Sequence, residues 1–470
     1  MTLSKKNYKL TFRRIQYVHQ KYFMPQSILN HQGIFLSGYF EYPTSSQNAQ
    51  YLIPDTYREY TLCRKPDETE KYKEHLKGKY YENWFNAIYP QNTNHFITKE
   101  PLNFPLAEAT GVSGAILENI HVYVFEKDDT SKACIYSLHI HVGNDKTLDD
   151  IQAIIQNLRQ ILPDSSDVQN PLYNIIREKI IVPFNGNQDW QKFSPNLKLY
   201  LNIDLNTDIE DKELNNLLID LATSQPLRYT NKASRSAFSD SYTQHLINNN
   251  LINVFDSWRA ICLYDSFVRI SVKEIDNTPQ ANQTIRIWEK DYYTIYIYSF
   301  YIRFRLYRMS EAISLISTNR DSRIKARKQY TSFVNTFDLP QISYKFLPNI
   351  IYKKMIAAFE IDKEIKILEK KFITIHDSEQ LEFERELRNV EHSQHSRAKR
   401  MELMLLIFSI VSVTLHGTEL FEYAFFPVHD AEAHYHQDMF RTTAGIILGL
   451  LILLTLYSYY SKKKANHESN

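Results

Sequence analysis

Four polar side chains recur at helical spacing in an otherwise apolar run near the carboxyl end of the sequence. Ser409, Ser412, His416 and Glu419 follow one another at intervals of three and four residues, which places them on one side of a helix. Hydroxyl, imidazole and carboxylate groups on such a face can attract cations, so we expect them to line a pore. The alternative is that the serines make hydrogen bonds between packed helices.

The residues that flank this face are expected to shape the two ends of the pore. The helix is expected to break at the mouth of the pore, whose candidate residues are Gly417, Thr418, Glu422 and Pro427. The candidates for an apolar gate at the other end are Met401, Met404 and Leu405.

Imidazole and carboxylate groups also cluster just beyond the apolar run. The candidate ligands are His429, Asp430, His434 and His436. Nitrogen ligands mixed with carboxylates favour a metal such as zinc or nickel over magnesium. The alternative is a solvated acidic loop without a metal ion.

A basic stretch could bind an anionic ligand. Arg320, Arg323 and Arg327 alternate with Lys325 and Lys328, and arginine side chains bind phosphate and carboxylate groups well. An ordinary solvated helix face is the alternative.

The motifs of common enzyme classes are absent from the sequence. It contains no P-loop, no nucleophile elbow and no His-Glu-x-x-His motif. His139 and His141 would share one face of a strand, where we expect surface histidines and not a metal pair. We therefore predict no enzyme and no bound cofactor.

Two apolar segments predict transmembrane helices over residues 402–421 and 442–461. About twenty apolar residues are needed to cross a hydrocarbon core of about 30 Å. Lysines and arginines precede the first segment and follow the second, so the positive-inside rule places both termini in the cytoplasm. We therefore expect a multi-pass protein of the bacterial inner membrane.

The rest of the chain predicts an α/β head followed by long helices. Seven of the ten glycines lie between Gly33 and Gly186, and the next is Gly417. Because glycine and proline punctuate structure, their scarcity in the second half indicates long helices. With 55 basic and 54 acidic residues, no polyanionic partner is indicated, and we expect no direct DNA binding. The three scattered cysteines predict no disulfide framework.

These patterns together predict an α+β/α-helical membrane protein with an N-terminal α/β cytoplasmic domain, a long helical stalk and two C-terminal transmembrane helices. A hairpin is predicted from Ile120–Phe125 and Ala133–Val142, and one continuous helix over residues 349–416. The predicted order is a cytoplasmic domain, an aromatic-rich helical hairpin, a stalk helix, a first span, an outer loop, a second span and a basic tail, over residues 1–280, 281–345, 346–401, 402–421, 422–441, 442–461 and 462–470.

This layout resembles the CorA family of divalent-cation channels. Gly417 matches the glycine of the family's Gly-Met-Asn motif, the segment Phe421–Tyr423 resembles the stretch after it, and Phe426–Pro427 resembles its Met-Pro. Thr418 and Glu419 stand where the family has Met and Asn, so selectivity for magnesium does not follow. The resemblance implies a homopentamer in a lipid bilayer, with the first span around the pore and a divalent cation as the transported or regulatory ion.

Two functions follow as expectations. The first is a homo-oligomeric cation channel or transporter of CorA type, gated by its cytoplasmic domain. The second is a membrane effector of an antiviral system, such as a type III CRISPR locus, that opens when a nucleotide signal binds. A nonconducting membrane-tethered scaffold is a further alternative.

Overall fold

Strand β1 (Leu29–Pro43) lies inside a mixed β-sheet that organises the first part of the chain. The computed structural model describes residues 29–43, 54–59, 66–88, 95–125, 131–143, 145–159, 171–184, 196–207, 209–231, 238–272, 284–315 and 320–425, together with residues 442, 445 and 449. The chain divides into two units, Met1–Phe372 and Ile373–Asn470.

Ten strands form the sheet in the order β2-β3-β5-β6-β1-β7-β10-β9-β8, with β4 paired to β5. The strands after β1 are β2 (Tyr57–Glu59), β3 (His95–Thr98), β4 (Phe104–Pro105), β5 (Ile116–Val124), β6 (Ser131–His141), β7 (Lys198–Leu205), β8 (Leu251–Phe255), β9 (Trp258–Leu263) and β10 (Ser266–Ser271). The predicted hairpin is confirmed, because β5 and β6 pair antiparallel. Among the described strands, β7 and β10 form the one parallel pair.

Helices lie between these strands and after the last of them, and are numbered in chain order. They are α1 (Pro66–Lys77), α2 (Glu82–Ile88), α3 (Ala107–Thr110), α4 (Leu148–Leu158), α5 (Pro171–Ile176), α6 (Asp211–Ala222), α7 (Asp240–Asn250), α8 (Tyr293–Leu315), α9 (Arg320–Phe337), α10 (Phe346–Ala358) and α11 (Ile361–Phe425). Two π-helices, Arg177–Ile181 and Ile287–Tyr292, directly follow α5 and directly precede α8.

One face of the sheet carries an aliphatic core. Alternate residues of β1, such as Leu36, point into this core because side chains alternate between the faces of a strand. Helices α4 and α6 cover it with side chains such as Ile151 and Leu217. Thr147 begins α4 with a capping box, since its hydroxyl accepts from the Asp150 amide while the Asp150 carboxylate accepts from the Thr147 amide.

The opposite face is aromatic and polar and lies under the π-helix and α8. Phe35 of β1 packs against Tyr293 with ring centres 4.6 Å apart, and Tyr39 stacks on Phe304 at 3.9 Å. The tyrosine-rich stripe of α8 therefore packs against the sheet. Since it covers one sheet face, α8 also brings Arg303 to the turn between β9 and β10, where Arg303 donates to the Tyr264 carbonyl.

The predicted continuous helix over residues 349–416 is wrong at one point. Helix α10 ends at Ala358 and α11 begins at Ile361, and between them Glu360 has a φ of 55°. A left-handed residue cannot continue a right-handed helix. The buried ring of Phe359 packs on Tyr296 at this break, so tertiary packing fixes the turn without glycine or proline. At the start of α11, Ile361, Ile365, Leu368 and Phe372 are all buried, at the spacing of one packed helix face.

None of the helices in the described residues combines the length and the apolar character needed to cross a membrane. The predicted fold class with two transmembrane helices is therefore wrong, and so are the predicted transmembrane ion channel and the inner-membrane localisation. The first predicted span lies within α11, where the apolar run Leu403–Leu415 covers only about 20 Å before polar residues return. The second, 442–461, lies outside the described residues apart from three isolated positions.

Candidate functional site: a buried charged cluster beneath a π-helix

Polar side chains converge where the parallel strands β7 and β10 end. Asn202 and Asp204 of β7 lie beside Arg269 of β10, and all three are buried. In open α/β sheets, ligand sites and functional groups collect at the carboxyl ends of parallel strands. These three residues form the floor of a candidate site. Together with His31 and Glu289, they make up what we call the β7–β10 cluster.

Arg269 is the centre of this cluster. One of its terminal nitrogens, Nη1, donates to Asn202 Oδ1 and to Asp204 Oδ1, each at 2.7 Å. Its guanidinium also lies over the ring of Trp288, 4.9 Å from the ring centre. Burial lowers the pKa of Arg269, while the charge of Asp204 acts in the opposite direction. An ion pair this deeply buried is fixed in place, because neither partner can separate without leaving a charge away from water.

His31 and Glu289 form the more open end of the cluster. His31 Nε2 lies 2.5 Å from Glu289 Oε1, and Asn202 donates to the same oxygen at 3.3 Å. Burial alone would lower the pKa of His31, but the hydrogen bond and the charge of Glu289 outweigh it and raise the pKa. The two side chains are 27% and 23% exposed, so this pair can exchange protons with solvent while Asn202 connects it to Arg269.

Gly33 allows Glu289 to approach the sheet. A Cβ atom at this position would lie 2.2 Å from Glu289 Oε1, which is far inside van der Waals contact. The carboxylate therefore occupies the space that the side chain of any residue type other than glycine would fill at position 33. Close backbone approach of this kind is a usual reason for glycine in a strand.

The π-helix Ile287–Tyr292 joins the cluster to the rest of the first unit. Glu289 reaches the sheet, and Asp291 forms a buried ion pair with Lys79, 2.7 Å away in the segment after α1. The carbonyl of Trp288 accepts a hydrogen bond from Tyr200 at 2.6 Å. A π-helical turn at the start of a helix is frequent at functional sites. Here it aims two carboxylates at two separate cations from one short element.

Two polar atoms of the cluster lack partners. Asp204 Oδ2 and Arg269 Nε are buried and make no hydrogen bond to any part of the chain that the structure describes. Buried polar atoms are normally satisfied, since each unpaired one costs about 1–3 kcal/mol. The arrangement offers a proton-exchanging His–Glu pair over a fixed ion pair. Such chemistry suits a responsive element better than a nucleophilic active site.

Three histidines lie on neighbouring strands of the same sheet face. His95 Nε2 is 2.8 Å from His121 Nδ1, and the rings of His121 and His139 stack at 4.0 Å. Burial, with the neighbouring histidines and basic residues, lowers the pKa of each of the three. They are therefore neutral packing groups near pH 7. Within the described ranges, no group of three or more His, Cys, Asp or Glu residues is placed to hold a metal ion.

The residues predicted to line and gate a pore lie on α11. The gate candidates Met401, Met404 and Leu405 are all exposed. Ser409 and Ser412 are exposed as well, and Ser409 donates to the carbonyl of Leu405 at 2.8 Å. His416 and Glu419 belong to the same helix. They share it with the mouth candidates Gly417, Thr418 and Glu422, so the predicted helix break at this point is wrong.

The other predicted sites are scattered. Arg320, Arg323 and Arg327 belong to α9, where Arg327 is exposed and Arg323 is half-buried. Pro427 and the predicted metal ligands His429, Asp430, His434 and His436 lie outside the described residues. His139 packs in the histidine stack, whereas His141 is exposed.

Sequence reasoning missed all five residues of the β7–β10 cluster. The signal that could have found them is the presence of Asn202, Asp204 and Arg269 inside strongly apolar strands, since charged residues are almost never fully buried unless paired. No family model, no curated protein and no solved structure matches the chain.

Proposed function

We propose that the chain is a homo-oligomeric regulatory protein, in which an α/β head controls the association of a long helix. The observation that carries the proposal is the uncovered apolar surface of α11 in the second unit. The first unit supports it with a continuous path of contacts from the β7–β10 cluster to the base of α11.

The apolar surface of α11 is concentrated in one short segment. Seven large side chains there are each more than half exposed, namely Met401, Leu403, Met404, Leu405, Leu406, Phe408 and Val413. They lie on several sides of the helix, although Glu402, Ser409 and Ser412 interrupt the apolar surface, and apolar helix surfaces of this extent are normally buried. A second copy of the same chain is the partner to which we assign this surface.

The size of the surface fits a stable interface. Each of the seven side chains leaves about 100 Å² of apolar area uncovered, so the segment offers roughly 700 Å² per chain. A standard interface buries about 800 Å² per partner, and exposed patches on monomers rarely exceed 600 Å². Self-association of α11 would therefore remove an unusually large apolar patch from water.

The contacts of the first unit support control by the head. Glu289 of the π-helix binds the sheet, and α8 continues directly from that π-helix. Lys371, near the start of α11, donates to the hydroxyl of Ser310 on α8 at 2.7 Å. Phe372 packs against Tyr330 of α9, with ring centres 4.9 Å apart. A shift of the π-helix would thus reach α11 through packed helices, which switch between discrete arrangements.

Several earlier expectations remain predictions beside this proposal. They are the resemblance to the CorA family, the pentameric state, the regulatory divalent cation and the nucleotide messenger. Ion conduction and membrane permeabilisation are not part of what we propose.

The proposal is tested by the mass of the full chain in solution, measured by light scattering and by sedimentation. Wild-type protein should have a multiple of the 55.7 kDa chain mass. Met404→Glu combined with Phe408→Glu should shift it towards a single chain, because charges in an apolar interface must be desolvated. The matched control, Asn389→Glu with Ser393→Glu, adds the same charges at the same spacing on exposed polar positions of α11 and should leave the mass unchanged. A monomeric wild type, or an oligomer unaffected by the first pair, would contradict the proposal.

A further inference from the structure

A second charged cluster lies at the other end of the same sheet face. Lys198 begins β7, and Tyr264 with Asp265 forms the turn between β9 and β10. Arg159, just after α4, and Arg303 of α8 reach the same turn. Three cations therefore meet one carboxylate.

Arg159 is fully engaged in holding the turn. It donates to the backbone carbonyls of Leu197, Ala222 and Asp265 and to the hydroxyl of Ser224. It also pairs with the Asp265 carboxylate at 2.7 Å. Among the described residues, Asp265 forms its direct ion pair with Arg159, and its charge acts on Lys198 and Arg303 only from a greater distance.

Arg303 lies flat against the exposed side chain of Tyr264. Its guanidinium carbon is 3.3 Å from the ring centre, and Nη1 donates to the Tyr264 carbonyl at 2.6 Å. The Phe359 ring also lies 5.8 Å from the guanidinium carbon, so these contacts use one terminal nitrogen and the flat faces of the guanidinium. The planar fork keeps further N–H groups, which suit the oxygens of a phosphate.

Lys198 forms no direct ion pair with a carboxylate of the described residues. Within the part of the chain that the structure describes, its ammonium contacts the Tyr264 ring at 5.2 Å and makes no hydrogen bond or ion pair. Burial, together with the charge of Arg303, lowers the pKa of Lys198 to about 8, although Asp265 acts in the opposite direction. A half-buried ammonium next to a second cation is destabilised until an anion joins them.

We propose that Lys198 and Arg303 form a binding site for the phosphate group of a small molecule, with Arg159 as a positioning residue and Tyr264 as one wall. Lysine supplies a point charge and arginine a planar fork, which is the pairing that phosphate oxygens favour. The site lies in the head and does not depend on self-association of α11. It is also separate from the basic residues of α9 that the sequence pointed to.

The site is tested by calorimetric titration of the full chain with inorganic phosphate and with pyrophosphate. Wild-type protein should bind, and Lys198→Met should weaken binding roughly tenfold to hundredfold, as expected for loss of a charged hydrogen bond. Lys325→Met, which removes an exposed charge from α9, is the matched control and should bind like wild type.

Proton uptake distinguishes binding at Lys198 from a general attraction between the positive charges of the protein and an anion. Binding of an anion raises the pKa of Lys198 from about 8, so wild-type protein should take up protons when it binds near that pH. The uptake is measured by titration in buffers of different ionisation enthalpy. Lys198→Arg should still bind but take up fewer protons than wild type, because its guanidinium is always charged and only the ligand then exchanges protons.

The proposal is overturned if wild-type protein binds neither anion, if Lys198→Met binds as tightly as wild type, or if Lys325→Met loses as much affinity as Lys198→Met. Proton uptake that is the same in wild type and Lys198→Arg would also overturn it.

Discussion

Replacing Arg269 by methionine should destabilise the head strongly, because it leaves the buried carboxylate of Asp204 without its counter-charge. Asp204 is fully buried and, among the described residues, forms its ion pair with Arg269. Removing one partner of a buried pair costs about 3–5 kcal/mol. The first unit has 372 residues, and at about 2.1 cal/mol/K per residue its unfolding entropy is about 0.8 kcal/mol/K. The expected decrease in the midpoint of thermal unfolding is therefore about 4–6 °C.

The assay is unfolding by urea and by heat, with the double variant Arg269→Met/Asp204→Leu measured alongside. Removing both charges leaves no buried ion without a partner, so the double variant should recover most of the lost free energy of unfolding. Arg259→Met is the comparison, since its partner Asp211 is 82% exposed and can be rehydrated, which makes the loss smaller. A single variant as stable as wild type, or a double variant with the summed loss of both single variants, would refute this reasoning.

Two further predictions concern pH. The raised pKa of His31 means that the His31–Glu289 pair stabilises the head fully below about pH 6.5 and loses this effect as pH rises through the raised value. Glu289→Gln should remove that dependence from urea unfolding, and an unchanged dependence would count against the pair. For His121, burial with the charges of Lys290 and Arg58 lowers the pKa to about 3, so stability is lost as pH falls below about 6.5. His121→Phe should reduce this loss by about 1.4 kcal/mol per pH unit; equal slopes in the two proteins would contradict the assignment.

Much of the sheet could be predicted from local patterns. The segments that became β5, β6 and β7 alternate or run apolar, and the helices α4 and α6 have regular apolar spacing. Strand β1 could not be predicted, although it lies between β6 and β7 in the sheet. Polar residues such as His31 and Gln32, and glycines such as Gly33, interrupt its apolar pattern. Contacts with distant segments explain them, since His31 and Gly33 meet Glu289 and Gln32 donates to the carbonyls of Val142 and Gly143.

The long helices of the second half were predicted, but the positions of their breaks were not. The break at Glu360 carries no glycine or proline, because packing of Phe359 and not local propensity decides it. The transmembrane prediction for residues 402–421 failed on length, since reaching twenty residues required polar and ionisable groups at both ends. The helix also continues through Gly417, where a break was expected.

The functional clusters were beyond local patterns for a different reason. Lys198, Tyr264 and Arg303 come from three separate segments, and the same is true of His31, Asn202 and Glu289. Each residue alone is unremarkable in type and spacing. The parallel pairing of β7 and β10, and the placement of α8 across the sheet, bring them together.

The central claim, that α11 associates with copies of itself, is tested most directly by site-specific crosslinking of the full chain. A Met404→Cys variant in a Cys63→Ser background would be treated with a short bifunctional maleimide, since Cys134 and Cys262 are buried. The account predicts a covalent product of at least two chains at Met404, and far less from Lys212→Cys, an exposed position of α6. Single chains at Met404, with no more product than at Lys212, would contradict it.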